Sequence, residues 1–166
     1  MSLHRNAEEL RKLCDIMNHD PYVRSINYYE TDQMAVVHHS NYIRYFEEAR
    51  TDFLRKNGVN FCEVEEKYGI MFPVLDVQCS YKKSARLHDV LYIYVTLKSF
   101  TGVRFGLDYQ VKFADGSLCA SGYTLLGILN RNYMPVSLKR KAPGIYQTFM
   151  ELLQEETEAG PAEART

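Results

Sequence analysis

The chain has 166 residues, the length of one domain with room for short extensions. Lys and Arg number 20 against 21 Asp and Glu, a formal charge of −1 that argues against a general nucleic-acid or membrane-surface binder, both of which carry a basic excess. A hydrophobic share of 46%, a charged share of 25%, and only 9 Gly and 5 Pro exclude a disordered or collagen-like chain.

Residues 6–9 (Asn-Ala-Glu-Glu) read as a cap and an acidic first turn. Leu10, Leu13, Cys14 and Met17 follow on one helical face, and Asp20-Pro21 ends the run, so residues 1–20 are predicted to form a helical extension. No apolar core of a signal peptide lies in this stretch, and no later apolar run approaches the ~18 residues of a membrane span. Cys14, Cys62, Cys79 and Cys119 form no CxxC pair, which fits reduced thiols in a cytoplasmic protein and not a zinc ribbon or dithiol redox motif.

Residues 22–31, rich in Tyr, Val and Ile, predict a strand. After an irregular stretch over 32–39, Ser40 or Asn41 is placed to cap a long helix. Tyr42, Tyr45, Phe46, Ala49, Phe53 and Leu54 make one continuous apolar face, Arg44, Glu48, Asp52 and Arg55 make the wet one, and Gly58 stops the helix. Beyond residue 70 the period changes from 3.6 to 2. Strands are predicted over 72–81, 90–100, 103–113 and 118–130, with turns at Thr101-Gly102 and Asp115-Gly116. A last short helix covers 143–153, and the acidic Gly- and Pro-containing tail over 154–166 is expected to be disordered. One helix followed by hairpin-linked strands indicates an α+β domain over residues 21–153, its antiparallel five-stranded sheet covered by the one long helix.

Common catalytic signatures (GxSxG, GxxxxGK[ST], GxGxxG, HExxH) are absent from the sequence. The pair His38-His39 lacks the further ligands of a metal site, and no metal or cofactor is implied. The dense stretch is residues 28–50, YYETDQMAVVHHSNYIRYFEEAR. Asp32 there stands at a strand end, just ahead of a helix N-terminus whose unpaired N–H groups suit an anion. A carboxylate beside such a terminus can attack a carbonyl or activate water while the N–H groups hold the developing oxyanion. On spacing alone, Asp32 reads first as a turn former, His39 as a capping or packing residue, and Tyr42 as a core residue.

The whole string resembles the 4-hydroxybenzoyl-CoA thioesterase-like branch of the hotdog-fold superfamily, particularly the Tol–Pal-associated acyl-CoA thioesterases. That pattern, Y-x-E-T-D-x-x-G-V-V-x-H-x-x-Y followed by E-x-A-R, is met by Tyr29 (or Tyr28), Glu30, Thr31, Asp32, Val36, Val37, His39, Tyr42, Glu47, Ala49 and Arg50. Residues 80–89, from Ser80 to Asp89, resemble a second landmark, Y-x-x-P-A-R-x-x-D. Two positions depart from it: Ala35 replaces the glycine, where positive φ or close backbone approach is at stake, and Ser84 replaces the proline.

The resemblance covers roughly residues 23–145 and implies a hotdog fold acting on acyl-CoA as a homodimer or homotetramer, with sites between subunits. It implies Asp32 as nucleophile or general base and the His39 backbone N–H as oxyanion donor. Ala35, Val37, Asn41 and Tyr42 are the candidates for substrate contact. Lys82, Lys83 and Arg86, or alternatively Lys139-Arg140-Lys141, are the candidates for CoA phosphates. Three other readings stay open: a non-catalytic acyl-CoA-binding hotdog protein, for which Ala35 is the one support, an acyl-carrier-protein thioesterase, and a hotdog dehydratase pairing His39 with Asp32.

Overall fold

The turns at Thr101-Gly102 and Asp115-Gly116 are too short for anything but antiparallel hairpins. In the computed structural model, which describes residues 20–159, they join three long strands into a meander. The elements are β1 (Tyr22–Ser25), a single 3₁₀ turn (Tyr28–Glu30), α1 (Asn41–Lys56), α2 (Phe61–Tyr68), β2 (Ile70–Met71), β3 (Val74–Tyr81), β4 (Val90–Phe100), β5 (Arg104–Phe113), β6 (Leu118–Gly127), β7 (Leu129–Asn130), α3 (Leu138–Lys141) and α4 (Pro143–Ala159). Five strands make one antiparallel sheet in the order β1-β4-β5-β6-β3, and β2 pairs with β7 separately. Register breaks within the β3–β6, β4–β5 and β5–β6 ladders bend the sheet. The expected N-terminal helix over residues 6–19 lies outside the described residues.

The two periods of the sequence meet in one core. Tyr42, Tyr45, Phe46, Ala49 and Leu54 of α1 are buried, and so are Leu91, Ile93 and Leu97 of β4 and Phe105, Leu107, Tyr109 and Val111 of β5. Phe46 stacks on Tyr109 with ring centroids 4.4 Å apart. On β6, Gly122 lets this happen, because a Cβ built there would overlap the Phe46 ring. At the far end of the strands α4 adds a second aromatic group, with Phe149 stacked on Phe100 at 4.9 Å and tilted against Phe105 at 4.8 Å.

Four expectations are corrected. The first strand is shorter than residues 22–31: it stops at Ser25, and the chain turns through Asn27 into the 3₁₀ turn. The 118–130 strand is two, β6 and β7, broken at Ile128. Helix α2 was not foreseen, although Asn60 caps it by accepting from the N–H groups of Cys62 and Glu63, and Gly69 ends it. Finally, α4 does not end at residue 153 but runs to Ala159, so the first part of the expected disordered tail is helical. Glu, Gln and Ala are good helix formers, and Phe149 and Leu152 already anchor the helix they extend. None of the described helices is long and apolar enough to cross a membrane.

Replacing Gly122 by Ala forces a methyl group against the Phe46 ring and is expected to cost about 1–3 kcal/mol, the usual range for overpacking. The urea midpoint should fall, and adding Phe46→Leu to the same chain should recover part of the loss.

Candidate active site

After β1 the chain must reverse to reach α1, and Glu30 organises the reversal. Its carboxylate accepts from the Asn27 N–H at 2.7 Å and lies against the Arg24 guanidinium. Its carbonyl accepts from the His38 N–H and from the Asn41 side-chain amide, both at 2.9 Å. Val37 donates its N–H to the Ala85 carbonyl at 2.8 Å, so the two sequence landmarks lie side by side.

Between these anchors residues 32–36 close a tight loop. The Asp32 N–H donates to the Val36 carbonyl and the Asp32 carbonyl accepts from the Ala35 N–H, each at 2.9 Å. Asp32 Oδ1 accepts from the Met34 N–H at 2.8 Å, so the aspartate does act as a turn former. That bond orients the carboxylate and occupies one side of one oxygen. Ala35 closes the loop with φ at 58°, the left-handed conformation that glycine adopts without strain. The loop thus takes a glycine-type conformation with the methyl group in place.

Ser40 is the N-cap residue, as expected, but its side chain makes no capping bond to the helix, and His38 holds the turn instead. Its Nδ1 accepts from the Ser40 N–H at 3.3 Å and lies 2.8 Å from the Ser40 hydroxyl, and its carbonyl accepts from the Asn41 N–H at 3.0 Å. The Tyr42 N–H is directed at the His39 carbonyl at 3.4 Å. The N–H groups of residues 38, 40, 41 and 42 are thus spent. That of His39 has no hydrogen-bond acceptor among the described residues.

A cleft of roughly 280 Å³ opens over this turn and brings together Asp32, Val37, His39, Tyr42, Lys82 and Lys83 of the expected site. Met34, Val36, Tyr81 and Ser84 complete its wall. Ala35, Asn41 and Arg86 do not line it. Asn41 is buried with its amide on the Glu30 carbonyl, and Arg86 is exposed in a turn where its N–H meets Asp89 Oδ2 at 2.8 Å. Lys83 extends its ammonium over the Phe113 ring, 4.9 Å from the centroid and 3.4 Å from the Ser117 hydroxyl, whereas the Lys82 ammonium makes no such contact among the described residues. Lys139, Arg140 and Lys141 form α3, tied through Leu138 to Gly102 at the other end of β5, roughly 30 Å from the cleft by the rise of a ten-residue strand.

Tyr42 is a wall and not a titrating group. Burial, with the Cys119 thiol 3.5 Å from its hydroxyl, pushes its phenol far above the ordinary value. Tyr81 entered the sequence reading only as a letter of the second landmark. It donates its hydroxyl to the His39 carbonyl at 3.0 Å and sets its ring edge-on to Tyr42 at 5.2 Å. No sequence signal marks this contact, because the partners are 42 residues apart.

The family model of the thioesterase-like superfamily matches residues 26–143. The chain belongs to that superfamily. Its sheet and long helix are the hotdog fold of those enzymes, and its class is thioester hydrolase. The crystal structure of a DHNA-CoA thioesterase from Staphylococcus aureus superposes with a TM-score of 0.81 at 26% identity, over 87% of this chain and 97% of its own. A hypothetical protein from Thermus thermophilus gives a TM-score of 0.73 at 30% identity, over 80% of this chain and 98% of its own. An acyl-CoA thioester hydrolase of Escherichia coli, YbgC, is 26% identical over 117 residues, 70% of this chain and 84% of the relative.

The loop geometry makes Ala35→Gly a stabilising change. It removes a left-handed penalty of about 1–2 kcal/mol against an unfolded-state cost of about 0.5–1 kcal/mol for glycine. The urea midpoint should rise by the equivalent of about 0.5–1 kcal/mol with the slope unchanged.

Proposed function

We propose that the protein hydrolyses an acyl-CoA to a carboxylic acid and free CoA, using the Asp32 carboxylate and the His39 backbone N–H. One observation carries this reading: a residue with a carboxylate and a residue whose helix-start N–H has no hydrogen-bond acceptor among the described residues line one cleft. The thioester carbonyl oxygen sits at the His39 N–H, reinforced by the positive end of a 16-residue helix. As general base, Asp32 takes a proton from water, and the hydroxide adds to the carbonyl carbon. The tetrahedral oxyanion collapses, the C–S bond breaks, and the CoA thiolate takes the proton back from Asp32. As nucleophile, Asp32 displaces the thiolate itself, and water then hydrolyses the resulting anhydride. Both routes need an ionised carboxylate at residue 32.

The wall formed by Met34, Val36, Val37 and Tyr42 suits an apolar acyl group, and Lys82 stands where a phosphate of the cofactor-like portion can be met. The non-catalytic alternative drew on Ala35, and with Ala35 in the glycine-type conformation that support is withdrawn.

Assembly is part of the proposal. Strand β3 is a sheet edge carrying Val74, Leu75 and Val77 exposed, and such an edge invites a partner strand. A second copy is its occupant, giving a homodimer, or a homotetramer by further pairing.

Replacing Asp32 by Asn keeps the size and an oxygen for the Met34 N–H but removes the base. kcat on an acyl-CoA should fall by ~10²–10⁴ with KM little changed. His39→Ala should cost less, since the donor is a backbone N–H that survives the substitution. Full activity in Asp32→Asn refutes the mechanism, and a wild-type protein that binds acyl-CoA tightly without turnover favours the non-catalytic reading. Light scattering at micromolar concentration should give at least twice the chain mass, and a monomer would count against a site shared between copies.

A further inference from the structure

We infer that Tyr81 is a positioning residue for the oxyanion turn, its hydroxyl fixing the peptide that follows the His39 N–H. The inference rests on the reading of that N–H as the oxyanion donor. Two peptide planes meet at the His39 Cα. The one before it carries the N–H and is held by its own carbonyl, His38, which accepts from the Asn41 N–H at 3.0 Å. The one after it carries the His39 carbonyl. Within the helix its acceptor role is met only by the Tyr42 N–H at 3.4 Å, at the long end of the hydrogen-bond range. Tyr81 supplies the shorter bond, at 3.0 Å, from outside the helix.

The donor is itself held in place. Its ring lies edge-on to Tyr42 at 5.2 Å and to His39 at 6.4 Å, and its backbone closes β3, paired with Ala120 of β6. Burial and the neighbouring Cys79 thiol push its phenol up to about 12, so it remains a donor at neutral pH. An oxyanion donor works by being aligned before the charge develops, so freedom in this peptide weakens transition-state binding more than substrate binding.

The test is Tyr81→Phe in the full chain, which keeps the ring and deletes the hydroxyl. With an acyl-CoA substrate kcat should fall roughly tenfold, the factor for one neutral hydrogen bond, while KM stays within about twofold. In a ¹⁵N-labelled protein the amide of Ser40, which shares the peptide with the His39 carbonyl, and the adjoining amide of His39 should both shift. Tyr81→Leu removes the ring as well and should raise KM in addition. Unchanged kcat together with unchanged Ser40 and His39 amides overturns the inference. A rise in KM alone in Tyr81→Phe also overturns it, by making the hydroxyl a substrate contact. Full activity of Asp32→Asn instead overturns the catalytic reading, and the amide measurements then still decide whether Tyr81 holds the turn.

Discussion

A buried carboxylate joins the parts of this molecule that meet at the cleft. Glu30 is only 4% exposed. Its charge is met by the Arg24 guanidinium and by the Asn27 N–H. Arg24 in turn reaches Glu48 on α1 at 2.7 Å and lies 4.0 Å over the Tyr45 ring. Strand β1, the 3₁₀ turn and α1 are thus joined through one cation and two carboxylates. Such a group gains little stability over an apolar substitute, but removing one member strands a charge at a cost of about 3–5 kcal/mol. Its value lies in direction, because the same residue offers its carbonyl to His38 and Asn41 and so sets where the helix begins.

The three letters Glu30-Thr31-Asp32 then divide the labour. Glu30 holds the loop to the body, Thr31 donates its hydroxyl to the Tyr28 carbonyl at 2.8 Å, and Asp32 turns the chain while presenting its carboxylate to the cleft. Structure and chemistry are not alternatives for Asp32. The Met34 N–H that makes it a turn former also fixes its carboxylate, as an acting carboxylate requires. His38 follows the same logic at the helix start, since by accepting from the Ser40 N–H it engages a neighbouring donor, while the His39 N–H keeps no acceptor among the described residues.

Some of this is legible in the sequence and some is not, for physical reasons. The apolar face from Tyr42 to Leu54 and the alternation along β5 are legible because one face of each is buried and the other is wet. The hotdog resemblance is legible because many spaced letters match together, and it brings Asp32 and His39 with it. The end of β1 is not legible, because Tyr28 and Tyr29 carry strand propensity yet stand 79% exposed on a turn that only Glu30 and its partners explain. Asn41 lies inside the first motif and Arg86 matches the second, but letters do not say which way a side chain faces, and one is spent on the backbone while the other lies off the cleft. Tyr81 is hidden for the opposite reason: its contact with His39 exists only once the edge strand is folded beside the helix start.

That edge strand joins the two halves of the functional reading. One end of β3 is the bare apolar edge of Val74, Leu75 and Val77, and the other ends at Tyr81, followed by Lys82 and Lys83 in the cleft wall. Strands transmit displacement along their length because their residues are pinned by the ladder, here to β6 at Val74 and, beyond the register break at Leu75, from Asp76 through Tyr81. A copy of the chain docked on the free side of β3 would pin the same strand from both sides. It would hold Tyr81 against the His39 carbonyl and bring its own side chains to the rim of the cleft. Under the proposed function, assembly and alignment of the His39 N–H would then be one constraint, acting through eight residues of a single strand.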